Sequence, residues 1–228
     1  YHLLELQPAD IVAHCRKRRR VDNVSPATQA QDVGYLGEVL RMARTYWKIR
    51  YKADPVADAR EILRMAHNGQ PPLIGRPIQR DRRPTADELG ALRNYWNRND
   101  RRQLIPMADI MDFAVATAWR LGEICRVLWA DLDEKDRTIV IHDRKDPRNK
   151  YGNDQVVPLL GDAWTILKRQ PETDERVFPY NERSVSTAFA RVCKKLSIEN
   201  LKFHDLRHEG TSRLFEQGYQ IPEVSLCT

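Results

Sequence analysis

His204, Arg207 and His208 share the opening turn of the stretch FHDLRHEGTSRLFEQG, residues 203–218. Leu206, Leu214 and Phe215 recur on one side at helical spacing and Gly218 is a natural C-terminal stop. Polar, partly cationic groups bunched at one end of an amphipathic helix suit a phosphate better than a core. A second group lies in ATAWRLGEICRVLWADL, residues 116–132. An apolar helix carrying Ile110, Met111, Phe113 and Ala114 runs into Arg120 and Glu123, so Arg120 sits at a break between two buried helices. A charge there is costly unless paired. The bland reading is that Glu123 pairs with Arg120 and the ion pair is structural; the residues alone leave a functional role for Arg120 open. A third group, Lys145 and Lys150, lies on the polar segment DRKDPRNKYGND, where lysines are ordinarily just solvated.

The elements that must position these groups are mostly helical. Residues 1–70 read as helices throughout: Pro8, Ala9 and Asp10 open a short one carrying Ile11, Val12 and Ala13, and the basic run Arg16, Lys17, Arg18, Arg19, Arg20 follows it. Ser25 and Pro26 start the next, a capping residue before proline at the first helical position. It shows Val33, Leu36, Val39, Leu40, Ala43 and Trp47 at helical periodicity. Asp54-Pro55 breaks it, and a last helix through Ala59, Ile62, Leu63 and Ala66 ends near Asn68-Gly69.

Residues 71–84, rich in proline and arginine (Arg80, Arg82 and Arg83 among them), read as an extended basic linker. Such a segment can wrap a nucleic acid or serve only as a solvated tether. Residues 85–228 form a second domain, opened by the capping box of Thr85 and Glu88. Helices are predicted near 86–97, 106–117, 121–127, 161–169, 185–196 and 205–217, with one more opening at Pro222. Thr138–Ile141 is a predicted strand paired with Gln155–Leu159, and the lysine segment is the tip between them. The fold class is mainly α with a small antiparallel sheet.

At 228 residues the chain can hold one large domain or two modest ones. Hydrophobic residues make up 41% and charged residues 31%, the balance of a globular chain and not a disordered one. No apolar run approaches the ~20 residues of a membrane span, so no membrane partner is expected. The N-terminus YHLLELQPAD is not a secretory signal, and without an initiator Met the chain reads as a fragment. The net charge of +6, from 38 basic and 32 acidic residues, favours a polyanionic partner without demanding one. Cys15, Cys125, Cys193 and Cys227 are far apart with no C-x-x-C pair. They read as reduced, mostly buried thiols of a cytosolic protein, and neither a zinc site nor any other cofactor is expected.

In order, spacing and structural context, the arginine–glutamate turn, the lysine hairpin and the H-x-x-R-H helix resemble the motifs of the tyrosine recombinases, the phage-integrase family. The resemblance implies a helical core-binding domain over 1–70 and a mixed α/β catalytic domain over 85–228. It implies that Arg120 and Arg207 clamp the scissile phosphate, that Glu123 and His208 support the site, and that His204 is the histidine of the second motif. Lys145 best matches the catalytic lysine, with Lys150 the fallback. Arg16, Lys17, Arg18, Arg19, Arg20, Arg80, Arg82, Arg83 and Lys150 are candidate DNA contacts. The reaction implied is strand cleavage and rejoining through a 3′-phosphotyrosyl intermediate, on double-stranded DNA. A homotetramer on two duplexes, acting in the cytoplasm of a bacterium or encoded by a phage and associated with the nucleoid, would carry it out.

The physical logic agrees. Attack on a phosphodiester builds negative charge on the non-bridging oxygens, and two planar, always-charged guanidiniums suit that geometry. A lysine can protonate the departing 5′ oxygen and a histidine can manage the proton of the nucleophile. The family's nucleophilic tyrosine should lie shortly beyond Thr228, since Tyr219 comes too early and Tyr151 and Tyr180 match nothing in the motifs. The chain as given is expected to bind DNA without cleaving it. Two rivals remain: a non-catalytic DNA-binding protein on the same fold, and a helical protein-interaction module whose basic surface is incidental.

Overall fold

Capping chemistry sets where the first helices begin. In a computed structural model that describes residues 5–49, 54–66, 69–77, 80–98, 104–145 and 152–228, Pro8 opens helix α1 (Pro8–Val21). Ser25 opens α2 (Pro26–Tyr46), its hydroxyl accepting from the Thr28 N–H at 3.2 Å. Asp54 opens α3 (Pro55–Arg64), accepting from the amides of Val56 and Ala57. These three belong to a first compact unit, residues 1–80, with its own core of Ile11, Val12, Cys15, Val33, Leu40, Val56, Ala59, Leu63 and Ile74.

Several sequence expectations need correction here. The basic run does not follow a short helix. It forms the last turns of α1, where cations favour the negative end of the helix dipole. Val39 and Trp47 lie off the buried stripe of α2 and are exposed, and α3 stops at Arg64 before reaching Ala66. Residues 73–75 are not a free tether. The amides of Leu73 and Ile74 donate to the Leu63 carbonyl, and Gly75 donates to that of Pro26.

The second unit spans 81–228. Its first helix, α4 (Ala86–Arg98), starts on the expected capping box: Glu88 accepts from the Thr85 amide at 2.8 Å and donates its own amide to the Thr85 hydroxyl at 3.1 Å. Then come α5 (Met107–Thr117), the short α6 (Leu121–Ile124), and strands β1 (Leu132–Asp133), β2 (Thr138–Ile141) and β3 (Gln155–Pro158). Helices α7 (Asp162–Lys168), α8 (Glu182–Lys195), α9 (Asp205–Glu216) and α10 (Ile221–Cys227) complete it.

The sheet is antiparallel in the order β1-β2-β3, with Thr138 opposite Pro158 and Ile141 opposite Gln155. Proline is tolerated on β3 because that strand is an edge. β1 was not expected: two residues carry no periodicity to read. α6 is shorter than the 121–127 anticipated, and Phe215 of α9 is exposed, leaving Leu206 and Leu214 as the buried members of the apolar stripe expected on that helix.

The core of this unit is aromatic. Phe113 meets Trp119 edge-to-face at 5.4 Å and lies 5.1 Å from Phe178, a geometry that adds to the burial itself. α5 runs through this core with Ile110, Met111 and Phe113 fully buried. It ends at Ala118, buried and in the left-handed region at φ 54°. All four cysteines are buried and free. No helix among the described residues is long and apolar enough to cross a membrane.

Candidate active site

The turn after α5 places Arg120. Its backbone amide donates to Glu123 Oε2 at 2.9 Å, which fixes the start of α6, and its guanidinium Nη1 donates to Glu123 Oε1 at 2.8 Å. Glu123 is 3% exposed, whereas the Arg120 side chain is 34% exposed, so a buried carboxylate holds a cation that reaches solvent. Both readings of the pair left open by the sequence therefore begin from a real contact.

α9 brings in Arg207. Its opening turn is held by the fully buried Asp205, whose carboxylate accepts from the Lys202 amide at 2.8 Å. Arg207 Nη1 donates to the carbonyl of Ala118 at 2.7 Å, so the second arginine rests on the C-terminal end of α5, two residues before the first. A cation there is favoured by the helix dipole. Burial pulls the Arg207 guanidinium down to about 10. The positive charges of Arg120 and Arg144 push the same way, and Glu123 opposes. It remains charged at neutral pH.

The approach of α9 to α5 depends on Gly210. A Cβ there would lie 2.4 Å from the Val115 carbonyl oxygen and 3.0 Å from the Ala118 Cβ. Only glycine lets α9 come close enough to set Arg207 on that carbonyl.

His204 immediately precedes α9, makes no side-chain capping bond to it, and meets His208 edge-to-face, ring centroids 5.4 Å apart. His204 keeps contact with solvent, yet partial burial of its ring holds its pKa below the ordinary value. The charges of His208, Arg207 and Arg120 add to this, and Asp205 works against it. A neutral imidazole at neutral pH can accept a proton.

One residue that sequence reasoning missed belongs to the same group. Arg144, three residues past the end of β2, is 3% exposed. Its Nε lies 3.7 Å from Glu123 Oε1, its Nη1 donates to Gln155 Oε1 at 2.9 Å and to the Leu226 carbonyl at 3.2 Å, and its Nη2 donates to the Cys227 carbonyl at 2.6 Å. Two guanidiniums thus face one buried carboxylate, and the charge of a third, Arg207, is near enough to feel it, a local surplus of positive charge suited to an anion. Lys145 follows Arg144 directly and is exposed. Lys150 lies outside the described residues.

Below the lysine, the hairpin is stapled. His142 sits between Asp154, Nδ1 to Oδ2 at 2.9 Å, and Asp131, Nε2 to Oδ2 at 3.1 Å. Tyr219 packs against Leu214, Val224 and Cys227, on the turn after α9.

The candidate DNA contacts fare differently. Arg16, Lys17 and Arg20 are exposed, whereas Arg18 pairs with Asp32 and Asp22 and Arg19 donates to the Val24 carbonyl at 3.5 Å. Arg80 is partly exposed at the end of the first unit. Arg82 pairs with Glu88, and Arg83 pairs with Glu209 at 2.8 Å and Glu216 at 2.9 Å. These last two are part of the second unit's own structure. Among the described residues no group of histidines, cysteines and carboxylates is arranged to hold a metal.

Comparison with known proteins agrees with this architecture. A shufflon-specific DNA recombinase of Escherichia coli is 34% identical over 61% of this chain and 34% of its own length. The integrase of Salmonella phage P22 is 25% identical over 86% of this chain and 49% of its own. The chain therefore spans between about a third and a half of these two relatives. Its fold is similar to that of lambda integrase, solved as a tetramer bound to a Holliday junction, with a TM-score of 0.71 and 20% identity over 99% of this chain and 64% of the other. The phage integrase family pattern matches residues 82–226, which takes in every motif described above, and the chain belongs to the phage integrase family.

Proposed function

We propose that this chain is the DNA-binding and phosphate-clamping part of a tyrosine recombinase that cuts and rejoins double-stranded DNA in site-specific recombination. The carrying observation is the convergence of Arg120 and Arg207 on the end of α5 beside the buried Glu123, with His204 at the edge. In this reading the two guanidiniums take the charge that develops on the non-bridging oxygens, and Glu123 fixes the first of them. A tyrosine beyond Thr228 attacks phosphorus, its phenol proton leaving toward His204. The P–O5′ bond breaks as the Lys145 ammonium hands a proton to the departing oxygen. The 3′-phosphotyrosyl bond so formed retains the energy needed to rejoin the strand.

The similarity to an integrase solved as a tetramer on a Holliday junction supports the same assembly here, four copies on two duplexes. The first unit, as a core-binding domain, and the second, as the catalytic one, would both contact DNA.

The test uses a protein carrying this chain together with the tyrosine expected beyond Thr228. Arg120→Ala and Arg207→Ala should each abolish the covalent protein–DNA adduct while leaving duplex affinity within about tenfold, since other phosphate contacts supply most of it. Adduct formation by either variant would overturn the site. No detectable duplex binding at low salt would favour the protein-interaction reading.

A further inference from the structure

The mechanism above uses Arg120, Arg207, His204 and Lys145 and leaves Arg144 without a part. Arg144 is nonetheless the most buried cation of the group. A guanidinium taken out of water is costly unless it is paired and its donors are met. Here Nη1 and Nη2 are met by Gln155 and by the Leu226 and Cys227 carbonyls, while Nε has no hydrogen-bond partner among the described residues and faces the Glu123 carboxylate as an ion pair at 3.7 Å. Gln155 is on β3, Glu123 is on α6, and the Leu226 and Cys227 carbonyls end α10. The backbone of the same residue is fixed across the hairpin. Its amide donates to the Asn153 carbonyl at 2.9 Å, and its carbonyl accepts from the Asn153 side-chain amide at 2.9 Å. Asp143, just before it, accepts from the Gly152 amide at 2.8 Å and donates its own amide to Asp154 at 2.9 Å. Neither the side chain nor the main chain of Arg144 can move without breaking several of these bonds.

Lys145 is one peptide further on, and it is exposed. An exposed lysine has a long flexible stem and no inherent reason to hold its ammonium at a scissile bond. Among the described residues, the fixed point beside it in the chain is Arg144. That point is tied to Glu123, the carboxylate that fixes Arg120.

We propose that Arg144 is a positioning residue: it anchors the hairpin to the Arg120–Glu123 pair, so that Lys145 is delivered to the leaving oxygen of the phosphate that Arg120 holds. The same side chain ties the last carbonyls of α10 to this frame. The proposal rests on the reading of Lys145 as proton donor, and the experiment below separates failure of the one from failure of the other.

The discriminating substrate is a duplex with sulfur in place of the bridging 5′ oxygen at the scissile phosphate. A thiolate leaves without being protonated, so a defect confined to proton delivery vanishes on this substrate. In the protein carrying the tyrosine beyond Thr228, Lys145→Ala and Arg144→Gln should each slow cleavage of the oxygen substrate by on the order of 10²-fold or more, the usual contribution of a general acid. Both should return to near the unmodified protein's rate on the sulfur substrate, while Arg120→Ala stays inactive on either. If Lys145→Ala recovers and a folded Arg144→Gln does not, Arg144 acts on something other than the lysine and the proposal fails. If Lys145→Ala itself does not recover, the proton-donor reading falls and takes this inference with it.

Arg144→Gln can also fail to fold, which melting curves would reveal. Gln155→Ala then decides, because it removes one acceptor of Arg144 at a partly exposed site. It should show a smaller defect on oxygen that sulfur again erases, and equal rates on oxygen for Gln155→Ala and the unmodified protein would overturn the proposal.

Discussion

Glu123 is the residue on which the charge balance of the site turns. It is buried and faces Arg120 and Arg144, with the Arg207 charge close enough to feel it. Removing it would leave guanidiniums in a partly dry pocket with no counter-charge. Glu123→Gln should therefore cost about 3–5 kcal/mol, the range for breaking a buried pair by deleting one partner, read as a fall in the denaturation midpoint. A loss below about 1 kcal/mol would mean that water screens the cluster. His204 gives a prediction in pH. Its pKa in the folded chain is below the ordinary 6.5, so the unfolded chain binds its proton first on acidification. Stability should fall as pH drops below 6.5 toward the folded value, and His204→Gln should flatten that part of the curve. His142 works the other way: held above 6.5 by Asp154 and then Asp131, it contributes in acid and loses that contribution as pH rises. Arg120, Glu123, His204 and Arg207 were legible in the sequence because a charge at a helix break and a cationic helix start are unusual there. Arg144 was not, for a backbone reason. Ile139 and Ile141 point inward by strand alternation, which would send residue 144 outward. Asp143 adopts φ 47°, and past this left-handed step Arg144 is buried.

At the scale of elements, the site is a crossing between the end of α5 and the start of α9. Both sides of it are close to the steric limit: Ala118 holds a left-handed conformation that an alanine adopts only at some cost, and Gly210 has no room for a methyl group. The nearest atom to that missing methyl is a backbone oxygen inside the aromatic core, not the end of a flexible side chain. Gly210→Ala should thus cost about 1–3 kcal/mol, as overpacking in a filled core does. It should also lower adduct formation more than duplex affinity, because Arg207 lies one turn earlier on the same helix and moves with it. Equal losses in both would show that the crossing serves only to hold the fold. Helix starts were readable at this scale where a cap was recognised, as at Ser25 and Thr85, whereas Asp54, read only as a break, caps a helix as well. Ends and short pieces such as α6 and β1 were not, since packing rather than local sequence decides them.

For the whole molecule, the question is which of its 38 basic side chains would face DNA in the proposed function and which hold the protein together. A count of arginines made residues 16–20 and 80–83 look alike. The structure divides them. Ile11, Val12 and Cys15 bury one side of α1, and Arg16, Lys17 and Arg20 fall on the opposite, exposed side at helical spacing. Arg82 and Arg83 have carboxylate partners in the second unit, and Arg83 ties residues before α4 to α9 through Glu209 and Glu216. Neutralising a phosphate releases bound counterions, and each such contact adds about 0.9 to the slope of log affinity against log salt. Replacing Arg16, Lys17 and Arg20 together by alanine should therefore reduce that slope by roughly 2 to 3, measured on a duplex between about 50 and 200 mM salt, with little change in melting temperature. Replacing Arg82 and Arg83 should do the opposite, lowering the melting temperature while leaving the slope near its original value. If the second pair carried the slope and the first trio did not, the arginines paired in this structure would have to exchange their carboxylates for phosphates on binding. The segment before α4 would then be a DNA contact, and its ion pairs a feature of the unbound chain.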